Sequence, residues 1–305
     1  MKPKIIFFVG PTAIGKTEIA VILAKRINAE IISCDSMQVY KGMDIITSKP
    51  ALALRRRIPH YLLSVISADK EYNASRYYKD ASREIKEILN RGKVPLVVGG
   101  TGLYMSILMD GIFKSSAASE VIRNRLYRQA GERGSEYLYK RLKKIDPQAA
   151  GKIHPHDTKR IVRALEVFAA TGQKISELQK QRKGLAKVYD IKVFCLNMPR
   201  ERLYERIEKR VEKMFSDGLV NEVKRLLKSK LSKTAAYAIG IRELKGHFDG
   251  LYGIEEAKQL IKRNTRLYAK RQMTWFRKDK RINWIQIGEK EKPLAVANRI
   301  WKELY

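Results

Sequence analysis

The sequence has 305 residues, enough for one large or two medium domains with a substantial hydrophobic core. Its 63 Lys and Arg residues outnumber 32 Asp and Glu residues, and the formal net charge of +31 is typical of proteins that bind a polyanion. The hydrophobic content of 44% argues against global disorder, no apolar run is long enough for a membrane span, and the two isolated cysteines exclude a disulfide framework or a structural zinc site. We therefore expect a folded cytoplasmic protein that does not contact membranes.

The first hundred residues predict a parallel α/β arrangement. Residues 4–9 form a continuous apolar run, which is typical of a strand buried on both faces. Residues 16–27 carry apolar side chains at helical spacing, and residues 30–34 are typical of a second strand. A helix over 77–89 and another buried strand over 94–98 continue the same order. The fold class we predict is α/β, with a parallel sheet like that of the P-loop NTPases.

The middle of the chain has a different hydrophobic pattern, with helical periodicity from residue 120 to about residue 182. Residues 114–185 hold 17 Lys and Arg residues against 7 Asp and Glu residues, which predicts a strongly electropositive outer face. We predict a core domain of residues 1–113 and 186–305, interrupted by an all-helical insertion domain of residues 114–185.

The returning core is predicted to contain a strand over 189–197 and a long helix over 200–227 with an interruption at Gly218. A last long helix is predicted over 255–281, with one packing face and one basic face that includes Lys262, Arg266 and Lys270.

The strongest motif is a GxxxxGK[ST] loop between the first strand and the first helix. It consists of Gly10, Pro11, Thr12, Ala13, Ile14, Gly15, Lys16 and Thr17. Backbone N–H groups of such a loop bind phosphate oxygens, Lys16 adds a positive charge, and the Thr17 hydroxyl can ligate Mg²⁺. The motif predicts an anion site but leaves open which phosphate it holds.

Two further segments follow predicted strands. Asp35 comes directly after the second strand, where parallel sheets bind ligands, although a turn or helix-cap role for it is equally open. Gly99, Gly100 and Gly102 end another strand and allow close approach of a backbone or a planar ligand, with a plain glycine turn as the alternative.

On the helix that begins near residue 200, Arg202, Arg206 and Arg210 share one face, and any of them could bind a phosphate unless it pairs with a neighbouring Glu.

These motifs together resemble the tRNA dimethylallyltransferases over nearly the whole chain. The segments that carry the resemblance are GPTAIGKT at residue 10, DSMQVYKGMDI at 35, PLVVGGTGLY at 95, DPQAAGKIHPHDTKRIVRALEVFAATG at 146, LYERIEKRVEKMFSDGLVNEVKRL at 203, AIGIREL at 238 and TRLYAKRQMTWFR at 265. The resemblance implies transfer of a dimethylallyl group from dimethylallyl diphosphate to the exocyclic amine of the adenosine that follows the tRNA anticodon, at position 37. It also implies that the loop holds diphosphate and not ATP.

The resemblance assigns roles position by position. Asp35 would take the proton from the adenine amine and Thr101 would lie beside the target base. The loop, Lys16 and Arg210 would bind the departing diphosphate, with Mg²⁺ on Thr17. The implied tRNA contacts are Asp35, Ser36, Met37, Gln38, Thr101, Arg123, Lys159, Arg160, Arg163, Arg242, Arg266, Lys270 and Arg271. We expect a monomer with tRNA and dimethylallyl diphosphate as partners.

The sequence departs from the family pattern in three places. Ile241 stands where the family usually has Tyr, Ile46 and Ser48 alter the usual GTAKP pattern, and residues 115–119 replace a proline-rich entry to the insertion.

Two alternative functions compete with the one that the resemblance implies, a P-loop kinase of a small molecule or nucleotide and a non-catalytic RNA-binding P-loop protein. A kinase needs neither the charge of +31 nor so basic an insertion.

Overall fold

The computed structural model describes residues 3–113 and 119–304. The chain divides into two compact units, with boundaries between Met109 and Asp110 and between Gly184 and Leu185. Of the predicted Ser-rich stretch at 115–119, residues 115–118 lie outside the described residues. Within those residues, no helix is long and apolar enough to cross a membrane.

The larger unit begins as a strand, helix and strand in succession. Its first elements, in chain order, are β1 (Lys4–Val9), α1 (Lys16–Arg26), β2 (Ala29–Cys34), α2 (Leu52–Arg57), β3 (His60–Tyr61), α3 (Ala74–Asn90), β4 (Val94–Gly99) and α4 (Gly102–Asp110). The smaller unit follows with α5 (Glu120–Arg133), α6 (Ser135–Ile145), α7 (Pro147–Ala150), α8 (Thr158–Thr171) and α9 (Ile175–Lys180). The larger unit resumes with β5 (Asp190–Asn197), α10 (Arg200–Ser216), α11 (Leu219–Leu226), α12 (Ile241–Phe248), α13 (Ile254–Phe276), β6 (Ile282–Gln286) and α14 (Pro293–Leu304).

All described pairings of the six-stranded sheet are parallel, and the strand order is β3-β2-β4-β1-β5-β6. The central strand β1 is flanked by β4 and β5, with Phe8 opposite both Val98 and Phe194. Its five residues after Lys4 are buried because helices cover both faces of a parallel sheet. The predicted α/β class with a P-loop-like parallel sheet is confirmed, and the carboxyl ends of β1, β2 and β4 lie side by side.

The carboxyl-terminal part differs from the sequence prediction. The helix predicted over 255–281 ends at Phe276, and it is followed by β6, which pairs with β5, and by α14, neither of which was predicted. Only Ile282 and Ile285 of β6 are buried, so the strand lacks the apolar run that identified the others. Its pairing with β5 is a contact between segments far apart in sequence, which local periodicity does not encode. The interruption at Gly218 separates α10 from α11 as predicted, with φ at 97°.

The described residues of the smaller unit contain helices and no strand. Leu138, Leu142, Ile161 and Leu165 belong to its core and are almost fully buried. Asp146 is also buried, and it caps α7 by accepting the Ala149 N–H at 2.9 Å.

Candidate active site

The loop between β1 and α1 has the backbone of a phosphate-binding loop. Its φ angles are positive at Gly10 (153°), Ala13 (63°) and Gly15 (98°), and α1 begins immediately afterwards at Lys16. Arg206 donates to the Ala13 carbonyl at 3.1 Å, and a Cβ on Gly15 would lie 2.9 Å from the Arg206 guanidinium. Glycine at position 15 therefore satisfies both the backbone angle and the close approach of an arginine.

The Lys16 ammonium lies against its own loop. Its Nζ donates to the carbonyls of Gly10 at 2.9 Å and Pro11 at 2.7 Å. Desolvation, with a smaller contribution from the Arg210 charge, lowers the pKa of Lys16 to about 8, and nearby Asp35 opposes this shift. The positive charge of the ammonium is thus only partly balanced by its neighbours, which favours binding of an anion beside it.

The three arginines predicted to share one face of α10, Arg202, Arg206 and Arg210, have different contacts. Arg210 donates from Nη1 to the Thr12 hydroxyl and from Nε to the Ser48 hydroxyl, both at 2.7 Å. Burial lowers the pKa of Arg210, and Asp35 opposes the change. Arg202 instead donates to the Gly288 carbonyl at 2.6 Å and does not line the cavity described below. Arg206 and Arg210 are therefore the members of this face that reach the loop.

Asp35 follows β2 and begins a turn. Its Oδ1 accepts the backbone N–H groups of Met37 at 2.8 Å and Gln38 at 3.3 Å, so the turn role that the sequence left open is present. The residue also lines the same cavity as Lys16 and Arg210. A carboxylate here can hold the turn with one oxygen while the other remains available for chemistry.

Close packing explains the glycines at the end of β4 and at the start of α4. A Cβ on Gly99 would lie 2.1 Å from the Cys34 carbonyl oxygen, and one on Gly102 would lie 2.3 Å from Trp275. The backbone of β2 and a side chain of α13 therefore occupy the space that these glycines leave.

Gln272 on α13 was not identified from the sequence, yet it joins two parts of the site. Its Oε1 accepts the Thr12 N–H and its Nε2 donates to the Gly100 carbonyl, each at 2.9 Å. The residue is 6% exposed. It lies within the TRLYAKRQMTWFR segment, but nothing in the spacing of that segment indicates which side chain turns inward.

Thr101 lies next to the cavity lining without belonging to it. Its hydroxyl accepts the Ser36 N–H at 3.1 Å, and its own N–H donates to the Cys34 carbonyl at 3.1 Å. Thr101 also hydrogen-bonds Tyr268, whose pKa is raised mainly by burial and secondarily by Asp35. Tyr268 on α13 thus belongs to this polar cluster.

A cavity of about 910 Å³ brings these elements together within the larger unit. Of the predicted loop, Gly10, Pro11 and Ile14 are buried, whereas Thr12, Ala13, Gly15, Lys16 and Thr17 line the cavity. The charged side chains of the lining are Lys16, Glu18, Asp35, Asp44, Lys49, Arg55, Arg206, Lys209, Arg210, Lys213 and Asp217. The balance is basic, as an anionic ligand requires.

The other predicted tRNA contacts in the larger unit are distributed over its surface and the β2 turn. Ser36, Met37 and Gln38 are half-buried, and Gln38 donates to the Thr47 carbonyl at 3.2 Å. Arg242 is exposed and its guanidinium lies 4.1 Å from the ring centre of Tyr237. Arg266 pairs with Glu208 at 2.8 Å. Lys270 and Arg271 are exposed on α13.

The predicted tRNA contacts in the smaller unit fall into two pairs. Arg123 and Arg163 bind the two oxygens of Glu166 at 2.9 and 3.0 Å, and this carboxylate is fully buried. Lys159 and Arg160 lie exposed in the first turn of α8. The first pair has a structural partner that the sequence did not reveal, whereas the second is presented to solvent.

A phosphate-binding loop after the central strand of a parallel sheet, with half-buried cations beside it, defines a P-loop protein, a class in which this loop commonly binds phosphate groups. Residues 38–279 match the sequence profile of the family described as IPP transferase. The tRNA dimethylallyltransferase of Thermotoga petrophila is 47% identical over 97% of this chain and 99% of its own length. That of Alkaliphilus oremlandii is 41% identical over 99% of this chain and 97% of its own length.

Solved structures that are similar to this chain belong to proteins of the same kind. The full-length tRNA isopentenylpyrophosphate transferase of Bacillus halodurans is 37% identical with a TM-score of 0.72, covering 99% of this chain and 97% of its own. A eukaryotic dimethylallyltransferase acting on tRNA is 29% identical with a TM-score of 0.82, covering 98% of this chain and 77% of its own. The chain belongs to the IPP transferase family. The resemblance inferred from the sequence is confirmed, and neither the kinase nor the non-catalytic alternative is favoured.

Proposed function

We propose that this protein transfers a dimethylallyl group from dimethylallyl diphosphate to the exocyclic N6 amine of the adenosine at position 37 of tRNA, and releases diphosphate. One observation carries the proposal: a cationic phosphate-binding loop and a carboxylate, Asp35, line the same cavity. Family membership supports the same activity. Prenyl transfer to an amine needs both features, because charge leaves with the diphosphate while a proton leaves the nucleophile.

The leaving group is the first task. As the bond between the allylic carbon and the diphosphate oxygen breaks, negative charge grows on oxygens that lie against the loop N–H groups. Lys16 and Arg210 are positioned for that charge, since both contact the loop and both are desolvated. We assign diphosphate binding to the loop residues 10–17 and to Arg210.

The nucleophile is the second task. The lone pair of an adenine amine is delocalised into the ring, so attack on the allylic carbon needs a base that accepts the N–H proton. Asp35 is our assignment, with Thr101 beside the base. An adenine stacked in the anticodon loop cannot reach this cavity, so the nucleotide must be flipped out of its stack.

The residues of the site fit Mg²⁺ held largely by the donor. Thr17 lines the cavity, and the described residues contain no group of three His, Cys, Asp or Glu side chains that could hold a metal by themselves. Mg²⁺ is commonly bound through one or two protein oxygens together with substrate phosphates and water. When bound on Thr17, it would neutralise charge on the diphosphate.

We assign tRNA binding to the exposed cations of α8 and of α13, with Lys159, Arg160, Lys270 and Arg271 as phosphate contacts. Arg242 and Arg266, together with Ser36, Met37 and Gln38, complete the contacts that the resemblance implies in the larger unit. Arg123 and Arg163 would act through their pairing with Glu166 as well as through RNA. A monomer in the cytoplasm remains our prediction.

The direct test uses two synthetic anticodon stem-loops, one with adenosine after the anticodon and one with a purine that lacks the exocyclic amine. With labelled dimethylallyl diphosphate and Mg²⁺, we expect label only in the first RNA, recovered in N6-(dimethylallyl)adenosine after digestion. Equal labelling of both RNAs would exclude the amine as the acceptor.

A further inference from the structure

The segment of residues 44–49, between β2 and α2, contacts the arginine assigned to the diphosphate. The Ser48 hydroxyl accepts the Arg210 Nε–H at 2.7 Å, while Arg210 Nη1 donates to Thr12 at the same distance. The guanidinium is thereby fixed at two points, one on the phosphate-binding loop and one on this segment.

Ser48 needs support to hold that position. Its φ of 46° lies in the left-handed region, which a serine seldom occupies. The backbone turn around it is closed by two hydrogen bonds, from the Ser48 N–H to the Ile45 carbonyl at 2.9 Å and from the Lys49 N–H to the Asp44 carbonyl at 3.0 Å. The neighbouring residues of the segment are in turn held from outside it.

Glu222 on α11 provides that outside support. Its carboxylate is 3% exposed and accepts three consecutive backbone N–H groups, those of Asp44 at 3.1 Å and of Ile45 and Ile46 at 2.9 Å. Consecutive N–H groups that converge in this way form a strong anion site, here occupied by a side chain. Lys49 fixes the other end, since its Nζ donates to Asp44 and Ser64, each at 2.8 Å.

We propose that Ser48 is a positioning residue for Arg210 and that Glu222 holds Ser48 in place. The inference rests on the proposed function, in which Arg210 binds the diphosphate of the donor. A long arginine side chain loses rotamer freedom when it binds an anion, and a contact that fixes it beforehand lowers that cost.

The test measures binding of inorganic diphosphate by titration calorimetry, which requires no prenyl transfer. Four proteins form a cycle: the parent, Ser48→Ala, Arg210→Ala and the double variant. We expect Ser48→Ala to weaken binding about three- to tenfold, the effect of removing one ordinary hydrogen bond. In the Arg210→Ala background the same change should alter binding by less than about 1.5-fold, because a hydroxyl that acts by positioning Arg210 has no effect once that side chain is removed.

Controls separate positioning from disruption of the structure. Ser48→Gly removes the same hydroxyl and suits the positive φ, so it should weaken binding as Ser48→Ala does. Ser216→Ala removes an exposed hydroxyl at the end of the same helix as Arg210 and should leave binding unchanged. Glu222→Gln removes the charge that binds three N–H groups and should weaken diphosphate binding. Because Glu222 acts through Ser48, the same change should have a smaller effect when Ser48 is already Ala.

The outcomes distinguish the two proposals. If Arg210→Ala binds diphosphate as the parent does, the proposed role of Arg210 in the donor site is wrong, and the positioning role of Ser48 fails with it. If Arg210→Ala weakens binding but Ser48→Ala and Ser48→Gly do not, only the positioning role is overturned. Equal weakening by Ser48→Ala in both backgrounds would likewise overturn it, since the hydroxyl would then act without Arg210.

Discussion

Asp35 shows how one side chain can satisfy two interpretations of a sequence. Its Oδ1 accepts the N–H groups of Met37 and Gln38, as a turn residue would, and its carboxylate lines the cavity that also contains Lys16. The turn contacts fix the direction of the carboxylate. This gives a proposed proton acceptor the rigid placement that general-base catalysis needs.

Replacing Asp35 with Asn separates these roles. The amide oxygen can still accept the two N–H groups, so the fold and the affinities for tRNA and donor should change little. Because an amide cannot accept the proton, the rate of the chemical step should fall by about 10²–10⁴. Single-turnover kinetics with pre-bound tRNA and donor measure that step. A rate within about threefold of the parent would remove Asp35 from the mechanism.

Lys16 gives a pH dependence to donor binding. Its pKa is lowered to about 8, so the side chain is protonated below that pH and loses its charge above it. The anionic donor binds the protonated form better, and affinity should therefore decline above about pH 8, by up to about tenfold per pH unit. Binding isotherms without tRNA measure the effect. Lys16→Arg, whose guanidinium does not titrate in this range, should bind with a flat profile; an unchanged decline in that variant would place the titration elsewhere.

At the level of elements, α13 links the phosphate-binding loop to the end of β4. Gln272 pairs with Thr12 and Gly100, and Trp275 packs onto Gly102. One helix thus holds the segment proposed for the diphosphate and the segment beside Thr101 in a fixed relation.

Gln272→Leu tests that link. The substitution is similar in size, but it leaves the buried Gly100 carbonyl without this partner and removes the acceptor of the half-buried Thr12 N–H. We expect the free energy of unfolding to fall by about 1–3 kcal/mol, measured by urea denaturation. Thr274→Val, at an exposed position of the same helix, is the control and should change it by less than about 0.5 kcal/mol. A decrease no larger than the control's would contradict the link.

Helix α8 carries the clearest prediction for RNA. Lys159 and Arg160 are exposed, whereas Arg163 neutralises the buried Glu166 and is better left intact. Replacing Lys159 and Arg160 with Ala should weaken tRNA binding and reduce the slope of log K against log[salt] by about 0.7–0.9 for each phosphate that is no longer neutralised. The exposed Lys143 and Lys144, replaced together, remove the same charge. Equal flattening in both variants would show a general charge effect and no specific contact by α8.

The elements differ in how well the sequence revealed them. Strands β1, β2, β4 and β5 were predictable because apolar runs identify strands buried in a parallel sheet. The two-residue β3 and the half-exposed β6 carry no such signal. The motif likewise located the loop and Lys16, but Gln272, Glu222 and Ser48 act through contacts between residues distant in sequence. A single sequence contains no record of those contacts.

For the whole molecule, the charge of +31 is only partly engaged internally. Lys258 and Lys262 both pair with Glu212, and Arg266 pairs with Glu208, so some of the predicted basic face of α13 binds α10. Lys270 and Arg271, farther along the same helix, are exposed. The cations available to a polyanion are therefore a subset that the composition alone could not identify.

The central claim is that the phosphate-binding loop holds a diphosphate leaving group and not a nucleotide. Its most direct test incubates the protein and Mg²⁺ with unmodified tRNA and either dimethylallyl diphosphate labelled in the prenyl group or ATP labelled in the γ-phosphate. We expect label to enter tRNA only from the prenyl donor, with one diphosphate released per group transferred and no tRNA-dependent hydrolysis of ATP. Robust tRNA-stimulated ATP hydrolysis without prenyl transfer would contradict the claim.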